Sequence, residues 1–251
     1  MSKTRLCSIF LLLIVSRTVW AQREGAPGAT TQPTASVPKH LTVAQALVAH
    51  LDLTNTNYNH GAPQVSFVAP YQSHADCSGF IDSLLQYSYG YTKDQFKKWL
   101  SSSRPSAKRY HDAIVEQKGF TLIPHVQDML PGDILAVKYL TRTDNTGHVM
   151  LVADRPLKIQ PQDPVLPGMQ QWMVTVIDSS ESGHGPTDTR HDRGPNGKDH
   201  DGVGQGVLRI YTDGQGQITG FSWSASAKSE FKNPSDEHLV IGRLQPNFQP
   251  E

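Results

Sequence analysis

The chain has 251 residues, enough for one sizeable domain or two small ones, and 37% of them are hydrophobic. Its 17 prolines and 20 glycines favour a loop-rich globular protein over a disordered chain or a membrane bundle. The 23 basic and 23 acidic residues balance, and without a basic block nothing indicates a nucleic-acid partner.

The first residues have the pattern of an export signal. Lys3 and Arg5 precede an apolar run over 6–15, and Val19-Trp20-Ala21 fits a signal-peptidase site. These features predict a secretory signal peptide over residues 1–21. The apolar run of about ten residues is too short to cross a bilayer. We therefore expect no stable membrane span and a location in the periplasm or outside the cell.

Signal cleavage would leave a single cysteine, Cys77, because Cys7 lies in the predicted signal peptide. No intramolecular disulfide is then possible. An unpaired thiol in an oxidising compartment indicates a reactive role. The alternative is a buried, inert cysteine, since free cysteines are among the most buried residues.

Residues 22–38 are rich in Gly, Ala, Thr, Gln and Pro and predict a flexible linker. A single domain is expected over 39–251. Apolar spacing predicts helices over 41–53, from Cys77 to near Gly90, over 94–100 and over 107–118. Apolar runs predict strands over 134–140, 149–153, 172–178, 207–212, 218–224 and 239–244, with a long polar loop over 181–206. Helices followed by a meandering antiparallel sheet indicate an α+β fold.

The stretch that begins at His74 places Cys77 at the start of a helix, with Asp76 or Ser78 as its N-cap. The unpaired N–H groups and the helix dipole favour the thiolate there. The same donors can hold the oxyanion of an attacked carbonyl. The small residues Ser78 and Gly79 leave room for a substrate.

A thiol nucleophile needs a base and a group that orients the base. His148 stands between Gly147 and an apolar strand, where the sheet can fix its side chain at the edge of a cleft. Asp178 ends the next main strand and can fix the tautomer of His148 if the two strands pair. The alternatives are a structural histidine at a strand end and an ordinary aspartate that starts a turn.

The order of these parts resembles the NlpC-type cell-wall peptidases, within the papain-like cysteine peptidases. The resemblance spans roughly residues 70–180 and rests on three motifs: Asp-Cys-Ser-Gly-Phe at 76–80, Pro-Gly-Asp-Ile at 131–134 and Gly-His-Val-Met-Leu-Val at 147–152. It implies a papain-like fold, with N-terminal helices packed on a mainly antiparallel sheet of about five to six strands.

The resemblance also assigns roles. It implies Cys77 as the nucleophile, His148 as the base and Asp178 as the orienting group. Tyr71 would line the oxyanion site, and Asp76 and Ser78 would flank the substrate. The implied reaction is hydrolysis of amide bonds in peptidoglycan stem peptides, often between D-glutamate and a diamino acid. We expect a monomer that needs no cofactor and no metal.

The chain departs from the family pattern in several places. The spacing from Tyr71 to Cys77 is short, the usual Trp-Gly-Gly between them is missing, and the third catalytic position is Asp rather than the commoner His. A separate wall-binding module is missing, and residues 181–206 form an apparent insertion.

Other functions remain open. A CHAP-type amidase or an acyltransferase would use the same Cys–His–Asp chemistry, and a secreted binding protein would have a disabled site. A metal site is a further alternative, because His74 could pair with Cys77 and the 181–206 loop is rich in ligand-type residues. That loop lacks the usual zinc-peptidase and calcium spacings, so a mobile polar loop beside the cleft is favoured. The ligand-type residues in the loop are His184, Asp188, His191, Asp192, Asp199, His200 and Asp201.

Overall fold

The computed structural model describes residues 37–191 and 200–250. The predicted signal peptide, all but the last two residues of the predicted linker and residues 192–199 of the predicted loop lie outside this range. The described residues belong to one compact unit. None of the helices within that part of the chain has the length and apolar character needed to cross a membrane.

The described residues contain four α-helices and eleven strands, with single 3-10 turns at Leu53–Asn55 and Val126–Asp128. The helices are α1 (Lys39–His50), α2 (Cys77–Tyr89), α3 (Lys93–Leu100) and α4 (Ala107–Val115). The strands are β1 (Thr56–Asn57), β2 (Gln64–Ser66), β3 (Gln72–His74), β4 (Phe120–Leu122), β5 (Ile134–Tyr139), β6 (Gly147–Val152), β7 (Leu157–Ile159), β8 (Gln170–Ser180), β9 (Gly202–Thr212), β10 (Ile218–Ser222) and β11 (Glu237–Leu244).

The main sheet confirms the α+β class and is larger than the sequence predicted. Its strands follow the order β10-β9-β8-β6-β5-β11-β4, with β7 on β8, and all pairs are antiparallel. The expectation of five to six strands is wrong, because the sheet has eight. The two extra strands, β4 and β7, are three residues long, too short for an apolar alternation to be recognised.

The boundary of the predicted 181–206 loop also needs correction. β9 begins at Gly202, so residues 202–206 belong to the sheet and pair with the end of β8. The sequence analysis read this stretch as loop because three of its five residues are glycines, which strands disfavour. The glycines have a packing role that is described with the site.

The core is built on both faces of the main sheet. On one face, α2 buries Phe80 and Leu84 against Val149 and Leu151 of β6. On the other face, Met150 and its alternating neighbours pack against β5 and β8. β6 is therefore buried along its whole length, which explains its unbroken apolar sequence.

A second, three-stranded sheet of order β1-β3-β2 leads into the nucleophile helix. β1 runs parallel to β3, and the Thr56 hydroxyl of β1 accepts the Val203 N–H of β9 at 2.8 Å. The Ser179 hydroxyl on β8 donates to the Ala75 carbonyl at 2.6 Å. These contacts fix the start of α2 against the ends of β8 and β9.

Candidate active site

Cys77 is the first residue of α2, and Asp76 caps the helix. The Oδ1 atom of Asp76 accepts the Gly79 N–H at 2.7 Å and the Ser78 hydroxyl at 3.2 Å. The cap satisfies one of the first-turn N–H groups and so explains why the helix begins here. Cys77 is only 5% exposed and lies at the positive end of the helix dipole, where negative charge is stabilised.

The other carboxylate oxygen of Asp76 is also occupied. Arg104 Nη2 donates to Asp76 Oδ2 at 2.9 Å, and His60 Nδ1 lies 3.3 Å from the same oxygen. Asp76 and Ser78 flank Cys77 in the chain, and their side-chain oxygens form hydrogen bonds within the protein. Their direct contact with a substrate stays a prediction.

His148 and Asp178 lie on the neighbouring strands β6 and β8. Leu151 pairs with Ile177 and Val152 with Val176, so alternation places the two polar side chains on one sheet face. His148 Nε2 lies 2.6 Å from Asp178 Oδ2. The structure thus brings together the two residues that the sequence analysis chose as base and orienting group.

The bond to Asp178 fixes the tautomer of His148. A carboxylate only accepts hydrogen bonds, so Nε2 carries the hydrogen and Nδ1 is the nitrogen left for the thiol. Burial works against a charged ring, yet the Cys77 thiolate and Asp178 raise the pKa of His148 to about 10. Cys77 and His148 thus form a hydrogen-bonded pair suited to a thiolate and an imidazolium.

Asp178 is completely buried and has two further partners. His184 Nε2 lies 3.0 Å from the same Oδ2 atom, and Arg190 Nη2 forms an ion pair with Oδ1 at 2.9 Å. Burial alone would favour the neutral acid, but the positive charges of Arg190 and His184 and the bonds from both histidines hold the pKa of Asp178 well below its usual range. The carboxylate therefore stays an acceptor for His148.

Trp223 packs against both histidines. Its ring meets His148 edge to face with centroids 5.4 Å apart and stacks on His184 at 6.2 Å. Its backbone carbonyl accepts a hydrogen bond from His184 Nδ1 at 2.7 Å. The indole thus limits the rotation of His148 while leaving its Nδ1 atom directed at the sulfur.

The tyrosine beside the thiol is Tyr58, which directly follows β1. Burial raises its pKa, and the negative charge and hydrogen bond of Cys77 add to the shift. Tyr71, the tyrosine chosen from the sequence, stacks on His50 of α1 with centroids 5.1 Å apart. A role for Tyr71 at the oxyanion site stays a prediction, whereas Tyr58 has its hydroxyl on the sulfur.

A second group of polar residues lies at the end of β5 and the start of β11. Tyr139 pairs across the strands with Glu237, and Arg142 lies 4.7 Å above the Tyr139 ring. Burial, Glu237 and the Cys77 charge raise the pKa of Tyr139. Glu237 is 6% exposed, and its Oε2 atom has no hydrogen-bond partner among the described residues.

The sequence analysis missed His184 and Arg190 as neighbours of Asp178. Both lie on what we call the 183–191 segment, part of the predicted polar loop, which packs on β9. A Cβ atom at Gly204 would come within 2.6 Å of the Arg190 side chain, and one at Gly206 within 2.2 Å of Asp188. The available signal was the Gly-x-Gly-x-Gly alternation of residues 202–206, since a strand face without side chains leaves room for another segment.

The metal alternative requires several ligand side chains grouped around one point. Residues 37–191 and 200–250 contain no group of three or more His, Cys, Asp or Glu side chains arranged to hold a metal ion. The side chain of His184 contacts Asp178, and that of Asp188 is paired with Arg190. Asp192 and Asp199 lie outside the described residues.

The chain is similar to an uncharacterized protein of Acanthamoeba polyphaga mimivirus. The two are 35% identical over 184 residues, which cover 69% of this chain and 79% of the viral protein. This chain belongs to the same family as the mimivirus protein. No protein-family model matches the chain, and no solved structure matches it. These comparisons name no reaction for the chain, and the residues of the site carry the functional hypothesis.

Proposed function

We propose that this protein is a cysteine hydrolase with a papain-like fold, in which Cys77 attacks, His148 is the base and Asp178 orients His148. One observation carries the proposal: Cys77 is hydrogen-bonded to His148, and His148 Nε2 lies 2.6 Å from Oδ2 of the buried Asp178. A papain-like fold is supported by a nucleophile-bearing helix packed on an antiparallel sheet whose neighbouring strands carry the other two residues.

In the proposed first step, the Cys77 thiolate attacks the carbonyl carbon of an amide. The oxyanion accepts hydrogen bonds from the backbone N–H of Cys77, which the helix leaves unpaired, and from the hydroxyl of Tyr58. The C–N bond then breaks, and the proton on His148 Nδ1 passes to the departing amine. The products are a free amine and a thioester on Cys77.

In the second step, water attacks the thioester and gives a proton to His148 Nδ1. The C–S bond breaks, and the acid product leaves the Cys77 thiolate beside the His148 imidazolium. His148 acts first as acid and then as base, while Asp178 accepts from its Nε2–H throughout. The proposal uses no cofactor and no metal.

The substrate class is proposed from the resemblance to NlpC-type peptidases. It is an amide bond in a peptidoglycan stem peptide, and the enzyme would act as a monomer after export, in the periplasm or outside the cell. Charged side chains support a polar peptide as substrate: Arg104 and His60 contact Asp76, the residue before Cys77, and Arg142 contacts Glu237, the strand partner of Tyr139.

The test of reactivity is the pH dependence of Cys77 alkylation by iodoacetamide, followed by peptide mass spectrometry to separate Cys77 from Cys7. We expect labelling well below the free-thiol pKa of about 8.5, and slower labelling in a His148→Ala variant. A profile like that of an ordinary thiol, or no labelling, would refute the nucleophile and favour a binding protein.

The test of substrate is digestion of purified stem-peptide fragments, with products identified by mass spectrometry. We expect amide cleavage that falls by more than about 10³-fold in Cys77→Ala, because the covalent route is lost. An added amine acceptor distinguishes the alternatives: an acyl-amine product would indicate an acyltransferase. Intact fragments beside a reactive Cys77 would contradict the proposed substrate class alone.

A further inference from the structure

The 183–191 segment is a polar stretch that is buried against β9. His184, Asp188 and Arg190 on this segment are 3%, 2% and 0% exposed. The Thr189 N–H donates to the Gln205 carbonyl at 2.9 Å, and Arg190 Nη1 donates to the Gly202 carbonyl at 3.0 Å. Burying three ionisable groups is costly unless each has a partner, so their partners identify what the segment does.

Arg190 is already paired within its own segment. Its Nε atom donates to Asp188 Oδ1 at 2.9 Å and its Nη2 atom to Asp188 Oδ2 at 2.8 Å, a bidentate arrangement. Arg190 Nη2 also lies 2.9 Å from Asp178 Oδ1, so the two buried carboxylates of Asp178 and Asp188 share one guanidinium. One negative charge is then left over, and a further cation beside Asp178 can balance it.

His184 has the hydrogen-bond partners of a cation. Its Nδ1 atom lies 2.7 Å from the Trp223 carbonyl, and its Nε2 atom lies 3.0 Å from Asp178 Oδ2. A backbone carbonyl and an ionised carboxylate both only accept hydrogen bonds. The doubly protonated ring is the form of His184 that can donate to both acceptors at once.

We propose that His184 is a positioning residue of the active site, a charged histidine that holds the same Asp178 oxygen that orients His148. This inference rests on the proposed Cys77–His148 pair and goes beyond it. His184 keeps Asp178 ionised, fixes Oδ2 in the direction of His148, and adds a positive charge that favours the thiolate. The charged or titratable groups around it are Asp178 and Asp188, which it contacts, and His148 and Arg190, which share Asp178 with it. The Trp223 ring, one residue beyond β10, stacks on its imidazole.

The test is the pH profile of Cys77 alkylation in His184→Gln, because glutamine can still donate to Asp178 but carries no charge. We expect the midpoint of the profile to move to higher pH, so that alkylation below the midpoint slows by about three- to tenfold. The rate at high pH should stay within about twofold. His50→Gln is the matched control, because His50 is an exposed histidine on α1.

The outcomes separate this inference from the proposed function. An unshifted midpoint with a slower rate at high pH would mean that His184 only fills space, and would overturn the inference. The proposed function would instead be overturned if Cys77 of the wild-type protein were alkylated with the pH profile of a free thiol, and if His148→Ala left that profile unchanged.

A second measurement does not depend on a folded variant or on thiol chemistry. In wild-type protein with 15N-labelled histidine and 13C-labelled tryptophan, we expect both histidines in contact with the Trp223 ring, His148 and His184, to carry hydrogen on both ring nitrogens at neutral pH. His184 is told apart from His148 by the hydrogen bond from its Nδ1 atom to the Trp223 carbonyl. A neutral tautomer of His184 would overturn the inference even if the His184→Gln variant does not fold.

Discussion

Within residues 37–191 and 200–250, two clusters bring two histidines and an aspartate together, and the pKa values of His148 in one and of His111 in the other shift in opposite directions. The site cluster consists of His148, His184, Asp178 and Arg190. The α4 cluster consists of His111, His238, Asp112 and Lys138. In the α4 cluster, His111 Nδ1 lies 3.0 Å from Asp112 and His111 Nε2 lies 2.8 Å from His238 Nδ1. Residue types and distances are thus similar in the two places.

Their protonation differs because their partners differ. Burial lowers the pKa of His111 and of His238, whereas the Cys77 thiolate and Asp178 raise that of His148 to about 10 against burial. In the α4 cluster the histidines bond to each other, which suits two neutral rings, one donating and one accepting. In the site cluster both histidines bond to one buried carboxylate. A histidine becomes a strong base here through that carboxylate and the neighbouring thiol.

The largest expected difference between the clusters is in the loss of their carboxylates. Asp178→Ala leaves buried positive charge unpaired and should lower the free energy of unfolding by about 3–5 kcal/mol. Asp112→Ala removes a carboxylate whose side chain is 38% exposed, and should cost less than about 1 kcal/mol. Urea unfolding at pH 7 measures both. If the two variants lost equal free energies of unfolding, the burial of Asp178 would not determine how much its carboxylate contributes to stability.

The three proposed catalytic residues could be predicted from the sequence because they stand at the ends of strongly patterned elements. Cys77 precedes an apolar helix, and His148 and Asp178 begin and end apolar strands, so the antiparallel order alone makes their meeting plausible. The six strands predicted from apolar runs all occur in the sheet. The missed strands, β4 and β7, have too few residues to show a pattern.

The rest of the site depends on contacts between distant segments that leave no periodic pattern. Tyr58 reaches the sulfur because β1 pairs in parallel with β3, a pairing between two very short strands. His184 and Arg190 lie in a stretch whose polarity is typical of a solvent-exposed loop. Only the three-dimensional fit of that stretch onto Gly204 and Gly206 reveals that it is buried.

The site cluster also lies beside a thiol that is hydrogen-bonded to a tyrosine, Tyr58, and the α4 cluster has no such thiol. Substitutions of Tyr58 and of Tyr71 test the importance of this hydroxyl. Tyr58→Phe removes a proposed oxyanion donor and should lower kcat by about 10²-fold, with a smaller change in KM. Tyr71→Phe, whose ring stacks on His50, should change kcat by less than about twofold. Steady-state cleavage of stem-peptide fragments measures both. The reverse order of effects would restore Tyr71 as the oxyanion residue.

The fit of the 183–191 segment can be broken without changing a charged residue. Gly204→Ala places a Cβ atom within 2.8 Å of three atoms of the buried Arg190 side chain, and should cost about 1–3 kcal/mol of unfolding free energy. We also expect slower alkylation of Cys77, because the segment that holds Asp178 is displaced. Thermal unfolding and the iodoacetamide assay measure the two effects.

Gly214→Ala is the matched control for that substitution, because a Cβ atom there has no neighbour within 4 Å. It should leave alkylation unchanged and alter stability by less than about 0.5 kcal/mol. If both alanine variants behaved alike, the glycine face of β9 would have no particular role in seating the segment.

The smallest expected effect concerns the α4 cluster and the pH dependence of stability. Because burial lowers the folded-state pKa of His111 and His238, the unfolded chain binds more protons near pH 6.5. Their contribution to stability is present above that pH and is lost as the pH falls. His148 has the opposite sign, because its raised pKa gives stability that is present below pH 6.5 and lost as the pH rises towards about 10.

His238→Gln should therefore reduce the loss of stability between pH 7.5 and pH 5, while costing less than about 1 kcal/mol at pH 7.5, since glutamine can still donate to His111. Urea unfolding at the two pH values measures the difference, and His50→Gln controls for removing an exposed histidine. If His238→Gln lost as much stability between pH 7.5 and pH 5 as the wild type, the neutral histidines of the α4 cluster would not contribute to that loss. If His238→Gln lost less stability in acid while the alkylation of Cys77 stayed unaltered, the α4 cluster would have a structural role and the site cluster a reactive one, although both use the same residue types.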